Sequence, residues 1–409
     1  MSDNDRVTLT KKELKRLDVL SQVGVERLTV PEAAQALGLS QRQVQRLKAA
    51  HREEGAAALV HGNRGRSPKH AIGSELRAQI IELARTTYFG FNYQHLSEAL
   101  AERDEPIVLS HSSVRRILQE EGIKSPRKRR APKHRSRRER RPQAGMLLQI
   151  DGSRHDWLEG RGPYLTLVGA IDDATGEVPY GLFRCQEDAQ GYFLLMRQIV
   201  TTKGIPLAVY SDKHGIFRRN LKEPETIREQ LLGRREPTQF GRLMEELLIE
   251  VIFADSPQAK GRIERLWGTF QDRLVSELRR EGSKTLVEAN AVLLAFLPRF
   301  NAHFAQPPAQ TESAYRALPN GLDPQRVFCF KYHRTVANDN TVTLEERRVE
   351  IPAGTDRVSY ARAKVEVQER LDGSLAVYHG ERQIASASAL GHPDGSSDLR
   401  LRRRHRVDS

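Results

Sequence analysis

Cysteine is almost missing from this chain of 409 residues: only Cys185 and Cys329 occur, far apart and in no CxxC pairing. That excludes a disulfide framework and a zinc site built on cysteine, and it fits a reducing compartment. Long apolar runs are missing too. No stretch approaches the roughly 18 consecutive apolar residues of a membrane helix, and the start, MSDNDRVTLTKKELKR, lacks the apolar segment of a signal peptide. The expectation is a cytoplasmic protein with no membrane partner. Aromatic residues are sparse at 6%, and the mean hydropathy is -0.59. Even so, 13 Phe and 10 Tyr with abundant Leu, Val and Ile can fill cores, which excludes wholesale disorder. The length predicts about two to four domains.

Positive charge is what the chain has in excess, and the excess is local. Residues 1–141 hold 29 Lys and Arg against 17 Asp and Glu, residues 142–390 hold 32 against 33, and the last 19 hold 5 against 3. Most of it falls in KSPRKRRAPKHRSRRERR (124–141), which carries 11 basic residues and one acid, Glu139. Such a run repels itself unless a polyanion covers it. With Pro126 and Pro132 between two patterned regions, it reads as a linker that tracks nucleic acid, with Arg127, Lys128, Arg129 and Arg130 on phosphates. A solvated spacer is the alternative.

The N-terminal third is helical by period. Leu14, Leu17, Leu20 and Val23 form one apolar stripe over residues 11–25. In LTVPEAAQALGLSQRQVQRLKAAHREEG (28–55), Thr29 can cap a helix with Pro31 in its first turn and Ala33, Ala34 and Leu37 inward. Gly38 then turns the chain, and Ser40 caps a second helix with Val44 and Leu47 buried. This pattern predicts a helix-turn-helix, whose second helix offers Gln41, Arg42, Gln45, Arg46 and Lys48 to base edges and phosphates. A helical hairpin with no DNA role is the plainer reading. HGNRGRSPKH (61–70) breaks the pattern; its Arg64 and Arg66 suit a minor-groove arm, or merely a spacer. From Ser74 to Gly122 a second helix-turn-helix-like module follows, with Ile80, Ile81, Leu83 and Ala84 on one stripe, Leu96 and Leu100 on another, and Arg115 and Arg116 on a capped helix.

Beyond the basic run, strands and helices come in the order βββαβαβα between 146 and 282, with an irregular polar interval at 213–239. Asp151 ends the first strand, Asp212 ends the fourth, and Glu264 lies on the first turns of the last helix. If the first and fourth strands are neighbours, the three carboxylates share one edge. So much negative charge requires a bound cation, and hard oxygen ligands with open positions suit Mg²⁺ or Mn²⁺. Two such ions about 4 Å apart would serve in-line attack on a phosphodiester. Lys260, Arg262 and Arg265 flank Glu264 as candidates for DNA phosphates, and His214 is a possible auxiliary group. Asp172 and Asp173, in the turn IDDATG, read as turn formers, Asp156 as an outer group, Asp255 as a loop residue and Trp267 as core. After Pro307, short alternating strands with turns at 338–340, 354 and 372–373 predict a small β-barrel.

The segments LLQIDGSRHDWLEGRGPYLTLVGAIDDATGE, VYSDKHGIF and TQFGRLMEELLIEVIFADSPQAKGRIERLWGTFQDRLVSELR resemble the catalytic domain of the DDE transposases, in particular the ISNCY-type insertion-sequence transposases. The family's two aspartates and glutamate fall on Asp151, Asp212 and Glu264. Their Asp212-to-Glu264 separation of 52 positions is longer than is common in the wider integrase group, and the polar interval accounts for the surplus. No cysteine precedes Cys185, so the zinc-binding N-terminal module of retroviral integrases is not expected. The resemblance implies a multidomain chain: all-α helix-turn-helix modules at 1–62 and 68–125, a basic linker at 126–142, and an α/β RNase H-like core with a mixed five-stranded sheet at 143–305. A small β-barrel at 325–390 and a basic disordered tail at 391–409 complete it. It also implies double-stranded DNA as partner, with terminal inverted repeats bound by the N-terminal modules, and at least a dimer on DNA. Two readings stay open beside it, a non-enzymatic DNA-binding regulator and a metal-dependent nuclease without strand transfer.

Overall fold

A computed structural model of the chain describes residues 7–64, 71–126, 139–219, 229–230, 235–253, 261–354 and 357–389. The chain divides into two compact units, Met1–Arg77 and Ala78–Ser409.

The first unit carries α1 (Lys11–Gly24), α2 (Val30–Leu37), α3 (Gln41–Glu54) and a 3-10 turn over Gly55–Leu59. Each α-helix opens on a capping box, Thr10 with Glu13, Thr29 with Glu32 and Ser40 with Gln43, so the orphan N–H groups of each first turn are satisfied by residues three apart. Gly38 closes α2 in the left-handed conformation at φ 62°, which a side chain would disfavour. The small core is Val19, Leu20, Val23, Ala33, Ala34, Val44 and Leu59. Leu14, expected inward, is 52% exposed, and Val19 takes its place on the buried stripe. Glu13 does more than cap. It accepts from the backbone N–H groups of Thr10 and His61 and pairs with Arg64, and these N–H groups push its carboxyl down to about 2.

The boundary falls within α4 (Ser74–Arg85), and the second unit goes on with α5 (Tyr93–Ala101) and α6 (His111–Glu120), followed by the mixed sheet. The sheet comprises β1 (Leu148–His155), β2 (Leu165–Asp172), β3 (Gly181–Arg184), β4 (Ala208–Ser211) and β5 (Glu250–Phe253). Its order is β3-β2-β1-β4-β5, with β1 to β3 antiparallel and β1, β4 and β5 parallel. Parallel neighbours require crossovers, supplied by α7 (Ala189–Thr202) before β4 and α8 (Gln239–Glu246) before β5. Every residue of β2 is buried because helices cover both faces. Leu148, Ile150, Val168 and Ala170 point to α7 and α8. Leu165, Leu167, Ile171 and Phe183 point the other way, to α9 (Gly261–Arg280) and α10 (Leu286–Phe304).

The α4–α6 module is fastened to α9 and α10. His95 Nε2 lies 2.9 Å from Glu277 Oε1, Asn92 donates to Asp272 at 2.7 Å, Arg273 pairs with Glu98, and Arg299 pairs with Glu102. Glu277 is only 1% exposed. Burial would raise its pKa, but His95, Arg280 and Arg299 outweigh burial and hold it below the usual range.

A short helix α11 (Pro324–Val327) leads into the C-terminal part, where the expected barrel is corrected. Strands β6 (Cys329–Thr335), β9 (Lys364–Arg370), β10 (Leu375–His379) and β11 (Arg382–Ala387) form an open sheet in the order β11-β10-β9-β6. Between β6 and β9, β7 (Thr341–Leu344) and β8 (Arg347–Glu350) pair only with each other. No closed barrel forms among the described residues, because the tight β7–β8 hairpin folds over the sheet's core at Val342, Leu344 and Val349 instead of joining its edges. The sheet docks on the same chain's α7 and α8. Phe330 stacks on Phe193 with centroids 4.7 Å apart, and Gln239 and Lys331 exchange two hydrogen bonds.

Candidate active site

Asp151 does not end β1, as the sequence suggested. It sits in mid-strand, because β1 runs on to His155 as the long partner of β2. Only its first residues pair with β4, Leu148 with Val209 and Gln149 with Tyr210. Asp212 does follow directly on the end of β4. Asp212 thus stands just past the end of the strand that pairs with the start of β1, two residues before Asp151.

The third element is α9. Its Trp267 Nε1 donates to Asp151 Oδ2 at 3.1 Å. The indole reaches over Gly169, the β2 partner of Asp151, where a Cβ would stand 3.0 Å from Trp267 Cη2; the glycine gives the ring its path. Glu264, one turn toward the N-terminus of α9, is exposed on the same helical face. Among the described residues no three His, Cys, Asp or Glu side chains stand close enough to hold a metal ion, so Asp151, Asp212 and Glu264 are not gathered into one cluster.

The remaining expected residues divide. Arg262 is corrected: its Nε is 2.7 Å from Asp173 Oδ1, its side chain is 15% exposed, and Asp173 is fully buried, so this guanidinium anchors α9 to the β2–β3 turn instead of facing DNA. Asp173 is likewise more than a turn former, accepting also from Gln149 Nε2 and the Arg141 N–H. Asp172 does shape the turn, through the Ala174 and Thr175 N–H groups. Arg64, expected in a minor groove, is held by Glu13 and the Thr8 carbonyl. His214 donates its backbone N–H to Asp212 Oδ1 at 2.9 Å, and its ring Nδ1 accepts from Ile216 N–H, so it builds the turn that presents Asp212. Gln41, Arg42, Gln45, Arg46 and Lys48 stand exposed on α3, Arg115 and Arg116 on α6, and Arg265 on α9. Arg66, Arg127, Lys128, Arg129, Arg130, Asp255, Lys260 and the tail 391–409 lie outside the described residues.

Trp267 as the partner of Asp151, and the pair Tyr192 and Glu187 behind β1, were not foreseen as site residues. Helical spacing from Glu264 could have raised Trp267. Nothing local in the sequence could have raised Glu187, whose neighbourhood is made by the sheet.

Across 91% of its length the chain is 36% identical to a putative transposase of Sinorhizobium fredii, covering 79% of that protein. It belongs to the insertion-sequence transposases. Across 93% of the chain it is also 31% identical to the transposase for an insertion sequence of Streptococcus pneumoniae, covering 87% of that protein. Residues 15–69 match the helix-turn-helix domain family and residues 43–118 the homeodomain-like domain family, so the transposase carries DNA-binding helical modules ahead of its mixed sheet. A cryo-EM structure of the simian T-cell lymphotropic virus intasome with PP2A regulatory subunit B56 gamma covers 76% of this chain and 99% of that one, at 13% identity and a TM-score of 0.30; so low an overlap carries no argument. No helix among the described residues is long and apolar enough to cross a membrane.

Proposed function

We propose that this transposase binds the terminal inverted repeats of its insertion sequence through the N-terminal modules, cleaves DNA with an RNase H-like core, and joins the freed 3′ end to target DNA. Asp151, Asp212 and Glu264 are the catalytic carboxylates. The observation that carries this is the junction of β1, β4 and α9: Asp151 held by Trp267, Asp212 at the adjoining strand end, and Glu264 one turn before Trp267. The donor types suit a hard divalent cation, since the three side chains proposed for it are exposed or half-buried carboxylates and none is a thiol. Two Mg²⁺ or Mn²⁺ ions bound there would activate a water or a 3′-hydroxyl and stabilise the departing oxygen. The chain's own part is positional. Trp267 fixes the Asp151 carboxylate, the 212–214 turn presents Asp212, and the Arg262–Asp173 pair holds the start of α9 that carries Glu264. Two ends must be joined to nearby target positions, so the working form is at least a dimer on DNA.

Incubating the purified chain with paired end DNA, a target plasmid and Mg²⁺ tests this directly. Joined products are expected; hydrolysis without joining would leave a nuclease, and binding without either reaction a regulator.

DNA recognition gives a second expected result. Arg42→Ala or Arg46→Ala should cost about 1–3 kcal/mol on the end sequence and little on unrelated DNA, as for a base-reading side chain. Neutralising Arg127, Lys128, Arg129 and Arg130 should instead weaken all DNA alike and lower the slope of log K on log salt by about 0.9 for each phosphate no longer neutralised. Fluorescence anisotropy across salt concentrations reads both, and an unchanged slope would make the run a mere spacer.

A further inference from the structure

Behind Asp151, on the α7 face of β1, the next residue is Gly152. A Cβ there would stand 2.6 Å from Glu187 Cδ and 2.8–2.9 Å from its two carboxylate oxygens. The absent side chain is therefore what lets a carboxylate press against the strand one residue from Asp151. Glu187 is fixed in that position by Tyr192, whose Oη donates to Glu187 Oε1 at 2.6 Å. Tyr192 is fully buried, wedged edge-on against Phe217 and Phe240 with centroids 4.7 and 6.0 Å away. Burial, with the Glu187, Asp151 and Asp212 charges added, raises its hydroxyl well above the usual range, so the phenol stays a proton donor. A buried aromatic thus holds a fourth negative charge directly behind the strand that carries Asp151. As packing alone this is costly, since three like charges gather around one neutral phenol. A bound cation offsets that cost.

Resting on the reading of Asp151, Asp212 and Glu264 as a cation site, we infer that Glu187 is a positioning residue of that site: held by Tyr192 against Gly152, its charge raises the affinity of the Asp151 edge for divalent cations without itself being a ligand. Coulomb attraction reaches across a strand where a coordination bond does not. The charge, rather than the hydrogen bond, is then what matters.

Titration calorimetry of the full chain with Mn²⁺, in the absence of DNA, separates the two. Glu187→Gln keeps an oxygen to accept from Tyr192 and removes only the charge; it is expected to weaken Mn²⁺ binding at least tenfold. Glu187→Asp keeps the charge and should stay within about threefold of the unaltered chain. Tyr192→Phe, which loses the hydrogen bond but not the carboxylate, should lower the melting temperature and leave the affinity within the same range; a tenfold loss of affinity in the folded Asp or Phe variant would overturn the inference, which keeps it testable even if the Gln variant folds poorly. Unchanged affinity in Glu187→Gln, with binding lost in Asp151→Asn, would overturn this inference alone. No Mn²⁺ binding by the unaltered chain would overturn it together with the proposed cation site.

Discussion

Asp151→Asn, Asp212→Asn and Glu264→Gln are each expected to lower strand cleavage by about a thousandfold or more, about 4 kcal/mol of barrier at 1.36 kcal/mol per tenfold. Each replacement keeps the size of the side chain and its capacity to accept a hydrogen bond, so Trp267 retains a partner at position 151 and the strands keep their register. Binding to end DNA should stay within about twofold, because the residues proposed to recognise it, on α3, lie in the other compact unit. Gel assays of cleavage and of binding, run on the same preparations, read the two effects apart. A variant that still cuts at a tenth of the normal rate would remove its residue from the catalytic set.

The second large effect concerns stability. Asp173 is fully buried and accepts from Arg262 Nε at 2.7 Å, Arg141 N–H at 2.9 Å and Gln149 Nε2 at 3.0 Å. Asp173→Ala takes one buried carboxylate from a mostly buried guanidinium, and one-sided loss of such a pair costs about 3–5 kcal/mol. Because Arg262 begins the helix that carries Glu264 and Trp267, the variant should also lose cleavage before it loses global structure. Urea unfolding of the full chain measures the first, and a loss under about 1 kcal/mol would show that the anchor lies elsewhere.

Much of this was legible in the sequence. The capping boxes at Thr29 and Ser40, Gly38 between them and the apolar spacing of Ala33, Ala34 and Val44 are local signals, and α2 and α3 follow them. The order βββαβαβα also appears, since buried strands and amphipathic helices differ in period. What failed was non-local. Asp151 looked like a strand end because polar residues follow it, yet the pairing with β2 carries the strand four residues further. Arg262 looked like a DNA contact because basic residues near an acidic site usually are; its buried partner lies 89 positions away in sequence. The C-terminal strands were seen as strands, but whether six short strands close or stay open depends on which edges pair, and alternation says nothing about that. Glu187 lay wholly beyond reach, since its role exists only once Gly152 and Tyr192 face each other across the fold.

The fastening of α5 to α9 and α10 has a consequence for the length of DNA between contacts. His95 with Glu277, Asn92 with Asp272 and Glu98 with Arg273 tie α5, on which α6 packs, to the helix that carries Trp267 beside Asp151. Under the proposed function, Arg115 and Arg116 would act as the far mark of a ruler whose near mark is the Asp151 edge. One base pair added between those marks turns the scissile phosphate by about 35° around the duplex, given 10–10.5 base pairs per turn. On that proposal the spacing inside each end of the element would be set by the protein itself.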